Sequence, residues 1–107
     1  MPNNFKNAKQ ICTTSLTDLY TCPNNVASVV LLLQATNVTN RADSLTVNWI
    51  DSTNSAVTSL TFQLPVPANQ SVGCLTGKLV LEAGDKIQAQ CGTHQALHLS
   101  FSALETS

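Results

Sequence analysis

The side chains that could do chemistry in this 107-residue chain are few: four cysteines, two histidines and six carboxylates. A Cys–His nucleophilic pair would have to come from Cys91-Gly92-Thr93-His94. Such a pair needs the imidazole within hydrogen-bond reach of the thiol, and nothing in this spacing supplies that. Cys91 instead continues the alternation Ile87, Ala89, Cys91, so it reads as a buried thiol ending a strand beside a loop histidine. The serines lie in no Gly-x-Ser-x-Gly elbow. No catalytic residue is assigned.

Metal ligation fares no better. Cys12, Cys22, Cys74 and Cys91 form no Cys-x2-Cys knuckle. His94 and His98 would share a face of a helix, but on a strand they stand about 13 Å apart. Asp43, Asp51 and Asp85 sit where strands end, and carboxylates there bond to turn backbone. Gly84-Asp85 is a turn rather than a phosphate cradle. No metal and no cofactor is expected.

The elements that hold these residues are strands. Leu45, Val47 and Trp49 alternate with Thr46, Asn48 and Ile50; Leu60, Phe62 and Leu64 alternate with Thr61 and Gln63; Leu97, Leu99, Phe101 and Ala103 alternate with polar residues. Period two with one apolar face is the mark of a half-buried strand. Segment 26–36 is apolar on both faces, so as a strand it needs a second cover, from another sheet or a neighbouring subunit. Turn chemistry recurs at Pro23-Asn24-Asn25, 37–43, 51–55, Pro65-Val66-Pro67-Ala68-Asn69, Ala83-Gly84-Asp85 and Gly92-Thr93.

Seven strands follow, near 14–21, 26–36, 45–51, 57–64, 75–82, 86–91 and 97–104. They predict one all-β domain, an antiparallel sandwich of Ig-like or jelly-roll type with seven to eight strands over residues 13–107. Residues 1–12 read as a polar arm, ordered only if something holds it. With Ala83-Gly84-Asp85 as a three-residue hairpin loop, Leu81 faces Ile87 and Leu79 faces Ala89. Cys12 and Cys22 bracket the first strand, too far apart for a disulfide, and free thiols are expected.

Charge is sparse. Eleven residues are charged, against forty Ser, Thr, Asn and Gln. With a net charge of −1 there is no basic footprint for nucleic acid and no polybasic membrane anchor. The polar N-terminus lacks the apolar core of a secretory signal, so a cytosolic origin is expected and the sequons at Asn37 and Asn69 are read as chance.

Four stretches carry a resemblance: Thr14 to Pro23, with its Tyr20-Thr21-Cys22-Pro23 ending; Val29 to Asn37; Lys78 to Ala89, containing Leu81-Glu82-Ala83-Gly84-Asp85; and Leu99 to Glu105. Together they resemble a family of small β-sandwich virion proteins of tailed bacteriophages, common among phages of cyanobacteria. The likeness spans roughly residues 5 to 105, with Cys22 standing where the family has Ala or another small residue. It implies a non-enzymatic virion structural protein assembled in the host cytoplasm. A capsid decoration or cement protein is the leading form, a neck, tail, baseplate or fibre-adaptor component the alternative. The implied partners are further copies of the chain and the major capsid protein, or neck and tail proteins. Phe5, Pro65, Val66 and Pro67 are the candidate assembly contacts, on grounds of exposure. A more distant alternative is a carbohydrate-binding module using Trp49 and Tyr20.

Overall fold

The computed structural model describes residues 3–53, 56–75 and 79–106. Among them there is no helix. Nine strands occur: β1 (Asn3–Ile11), β2 (Thr17–Thr21), β3 (Ala27–Asn37), β4 (Asp43–Ile50), β5 (Val57–Val66), β6 (Ser71–Gly73), β7 (Leu79–Leu81), β8 (Lys86–Cys91) and β9 (Leu97–Thr106). One sheet, A, has the order β1-β9-β3, with β6 and β7 sharing the far side of β3; the other, B, has the order β2-β8-β4-β5. Every pairing is antiparallel.

The pairing has a simple generator. The chain is folded back on itself at the β4–β5 hairpin, so that β3 meets β6 and β7, β2 meets β8 and β1 meets β9. Wrapping that long ribbon into two layers gives the strand orders seen here. This is the connectivity of a jelly roll, which selects one of the two sandwich types that the alternation allowed.

Alternation fills the space between the layers. From sheet A, Val30, Leu33, Ala35, Leu97, Leu99, Phe101 and Ala103 point inward; sheet B supplies Leu45, Val47, Ile87 and Ala89. β3 changes phase in its middle, where Leu31 is the extra residue between the pairs Val30–Ala103 and Leu32–Ser102. Both Leu31 and Leu32 are thereby exposed.

Several expectations change at this level. The polar arm is strand β1, in unbroken register with β9 from Asn3–Thr106 to Ile11–His98, so it is held by the chain's own last strand. Ala83-Gly84-Asp85 does not close a hairpin within one sheet. β7 pairs with β3 in sheet A, and β8 with β2 and β4 in sheet B. Leu81 and Ile87 share an apolar side because both enter the core from opposite layers. Of the strand expected at 75–82, residues 76–78 lie outside the described residues, as do 54 and 55 of the turn at 51–55.

Strand β5 departs furthest from its pattern. Leu45 pairs with Leu64 but Val47 with Thr61, so Phe62 and Gln63 together oppose Thr46. Gln63 takes a left-handed φ of 50° and its amide donates to Thr46 Oγ1 at 3.1 Å. Phe62 is thrown outward, 69% exposed, while Leu60 on the same strand packs against the core.

Candidate assembly surface

The outer face of sheet A is built from residues far apart in sequence. Phe5 on β1 stands opposite Leu104 on β9; Leu104 also stands opposite Val29 on β3, and Val29 opposite Val80 on β7. One apolar side chain from each of four adjacent strands thus forms a row about 14 Å wide, at roughly 4.8 Å per strand. Phe5 and Val80 are 77% and 57% exposed, and Leu31 and Leu32 widen the row beside Val29. Toward the other end the face turns polar through Asn7, Ser102, Lys9, Ser100, Gln34 and Thr36. The row itself carries no charged residue.

Of the contacts expected from exposure, Phe5 belongs to this surface. Pro65 and Pro67 are exposed on the opposite sheet's edge. Val66 is not a surface residue: β5 runs through it, its side chain is fully buried, and its carbonyl accepts the Asn37 Nδ2 hydrogen at 3.1 Å. Asn37 also donates to Arg41 O and accepts from the Thr39 amide and hydroxyl, so the amide of that sequon is fully committed inside the fold.

The residues weighed for chemistry have structural partners. Cys91 Sγ donates to the carbonyls of Thr93 (3.0 Å) and Thr13 (3.3 Å), while His94 sits exposed in the next turn and His98 points outward on β9. Asp43 Oδ2 accepts from the Thr93 amide, and Asp51 Oδ1 from the Thr53 amide. Gly92 lies close against the Asp43 carboxylate: a Cβ there would stand 2.6 Å from Asp43 Oδ1, so the Asp43 side chain would have to shift.

Asp51, Glu82 and Asp85 bring carboxylates together, but both Asp85 oxygens are taken. Oδ1 accepts from the Ser52 amide and hydroxyl, Oδ2 from the Glu82 amide and the Trp49 indole. Burial disfavours the Asp85 anion. The Ser52 and Glu82 amides, with the indole and the Ser52 hydroxyl, outweigh that penalty and hold the carboxyl below its ordinary range. Trp49 is half-buried against the core with its N–H spent on this anchor.

A second polar cluster crosses between the sheets. The one-residue irregularity at Leu19 turns both Leu19 and Tyr20 of β2 toward sheet A. Tyr20 stacks on Phe101 with centroids 4.7 Å apart; its hydroxyl donates to Glu105 Oε2 at 2.5 Å and shares a 2.7 Å hydrogen bond with Ser28. Burial first, then the Glu105 bond, push the Tyr20 hydroxyl well above the usual phenol range. Cys22 lies against Ser28 Oγ at 3.2 Å, and its thiol is pushed up chiefly by burial. Ser28 and Glu105 are buried, so this cluster is an internal tie that engages the Tyr20 hydroxyl and stacks its ring on Phe101.

The fold is therefore a two-sheet antiparallel jelly roll whose sheet A carries an apolar row on its outer face. A solved structure of similar fold comes from Bacillus endospore appendages, described as a family of disulfide-linked pili. It aligns over 97% of this chain and 84% of its own, with a TM-score of 0.57 and 10% identity. No family model and no curated protein matches the chain.

Proposed function

We propose that this chain is a non-enzymatic structural subunit that works by assembling in many copies, with the outer face of sheet A as a contact between copies. The observation that carries this reading is the exposed row Phe5–Leu104–Val29–Val80, extended by Leu31 and Leu32. Water contact with such a row is unfavourable by roughly 25 cal/mol per Å² of apolar surface, and covering it recovers that energy. A surface with eleven charges and forty neutral polar groups suits this role, because a charge buried unpaired at an interface is costly.

The resemblance in sequence supports a bacteriophage virion as the assembly, with the chain as a decoration or cement protein bound to the head shell. The neck, tail, baseplate or fibre-adaptor position is its alternative. Likeness in fold to an appendage described as a pilus favours a second reading, a filament subunit. Both are structural roles and share the same contact.

Sedimentation of the purified chain over a concentration range, with electron microscopy of the product, tests the core of the proposal. Self-association that Val80→Lys and Leu104→Lys weaken, with the far-ultraviolet spectrum unchanged, supports it. A monomer at every concentration, alone and with head shells, overturns it. Closed oligomers that bind tailless heads support the decoration reading; open fibres support the filament.

A further inference from the structure

We propose that Cys12 and Cys91 are a disulfide-forming pair that staples the end of strand β1 to the end of strand β8 on the other sheet. The two thiols converge on one carbonyl: Sγ of Cys12 lies 3.6 Å and Sγ of Cys91 3.3 Å from Thr13 O. That same carbonyl accepts the backbone amide of Cys91 at 2.9 Å, so the Cys91 main chain runs directly beside the Cys12–Thr13 peptide. Cys12 is fixed on its other side, its amide donating to Leu97 O and its carbonyl accepting from the Gln95 amide. Two cysteines on adjacent backbone, each with its sulfur against the same carbonyl, are the neighbours between which an oxidant can form a bridge.

The other two cysteines stand apart from this pair. Cys22 bonds to the Asp85 carbonyl just before β8 begins, whereas Cys91 ends β8. Cys22 Sγ is engaged by Ser28 and the Val26 carbonyl, and Cys74 is held by the core beside Leu33. The reading depends on neither the virion nor the filament proposal.

Chemistry and access fit one order of events. Cys12 is fully buried, and burial, the neighbouring Cys91 thiol and Asp43 all hold it protonated. Cys91 keeps 4% exposure and lines a cleft of about 210 Å³ with Ser44, Thr46, Gln63, Gln90 and Gly92. A small-molecule disulfide entering the cleft is attacked by the Cys91 thiolate, forming a mixed disulfide and releasing one small thiolate. The Cys12 thiol then loses its proton and displaces the second small thiolate from Cys91 sulfur. Two cysteine sulfurs are oxidised, one disulfide is reduced to two thiols, and two protons pass from the cysteines to the products. In a thiol-reducing cytosol the pair stays open; in an oxidising medium it closes, fixing β1 after the subunit has folded.

The test uses the full reduced chain and bis(2-hydroxyethyl) disulfide at pH 8.5, added to the folded protein and, separately, during refolding. The expected product is a monomeric chain lighter by about 2 Da, with a peptide map joining Cys12 to Cys91 and with Cys22 and Cys74 still open to alkylation after unfolding. Its thermal midpoint lies above that of the reduced chain; the rise persists in Cys22→Ser and vanishes in Cys12→Ser. Retention of free Cys12 and Cys91 after oxidative refolding overturns the proposal. Linkage of either one to Cys22, Cys74 or another copy does so equally. The map of the unsubstituted chain decides these outcomes even if a serine variant fails to fold.

Discussion

The indole nitrogen of Trp49 donates to Asp85 Oδ2 across 3.2 Å, joining β4 to the loop that carries the chain from one sheet to the other. That bond completes four donors on a buried carboxylate, so the anion is stabilised by geometry rather than by a cation. Trp49→Phe keeps the ring and removes one donor. It is expected to cost about 1.5–3 kcal/mol in chemical denaturation, the usual worth of a hydrogen bond to a charged group.

The same carboxylate sets an acid limb. Its folded pKa lies below the ordinary 3.8, so its contribution is complete above that value and is lost as pH falls through the folded pKa. Asp85→Asn should lower stability by about 2–4 kcal/mol at pH 7, and the gap from the unsubstituted protein should narrow below pH 4. Denaturation midpoints measured from pH 7 down to pH 2.5 check this. A constant gap would remove Asp85 as the source.

Tyr20 is the chain's single tyrosine, so its titration can be watched directly. The hydroxyl is raised, so folding favours the neutral form. Its contribution holds below the unfolded value of about 10 and fades as pH rises beyond it. Tyrosinate absorbance should stay absent at pH 10.5 in the folded protein and appear together with unfolding. Half-titration at pH 10 with the fold intact would contradict the Tyr20–Glu105 tie.

Gly84 occupies a left-handed turn with φ of 87°, and a Cβ there would lie 3.0 Å from Ser52 Cβ. Gly84→Ala should therefore destabilise by about 1–3 kcal/mol, through backbone strain and displacement of Ser52 from Asp85. Coupling can be checked with a double-mutant cycle against Asp85→Asn, whose combined loss should fall short of the sum.

Self-association through an uncharged row should respond weakly to screening. Raising salt from 0.05 to 0.5 M is expected to leave the association constant within about threefold, because the contact has few charges for the ions to screen. A fall of ten-fold or more would point to Lys9 or the acidic turns instead.

Much of the fold was legible in local pattern. Period-two alternation placed β4, β8 and β9 within a few residues, and the doubly apolar stretch 26–36 announced β3 as a strand with something to cover on its second face. What escaped is set by pairing between distant segments. β1 is polar because it is an edge strand beside β9, and only its register with Thr106 through His98 reveals it as a strand. Phe62 fits the alternation of β5, yet two residues opposite Thr46 reverse its direction. Val66 lies among prolines, which suggested exposure, but the strand continues through it into the core. The apolar row could not be read from any window, since its four members come from positions 5, 29, 80 and 104. The Cys12–Cys91 approach was hidden in the same way, by comparing cysteines along the chain rather than across the ribbon.

Because Asn3 stands opposite Thr106, both ends of the described chain leave from one corner of sheet A, two residues from Phe5 and Leu104. A purification tag or fused domain at either end would hang over the apolar row like an awning. Tagged protein should behave as a well-mannered monomer, and cleaving the tag should act as the trigger for assembly.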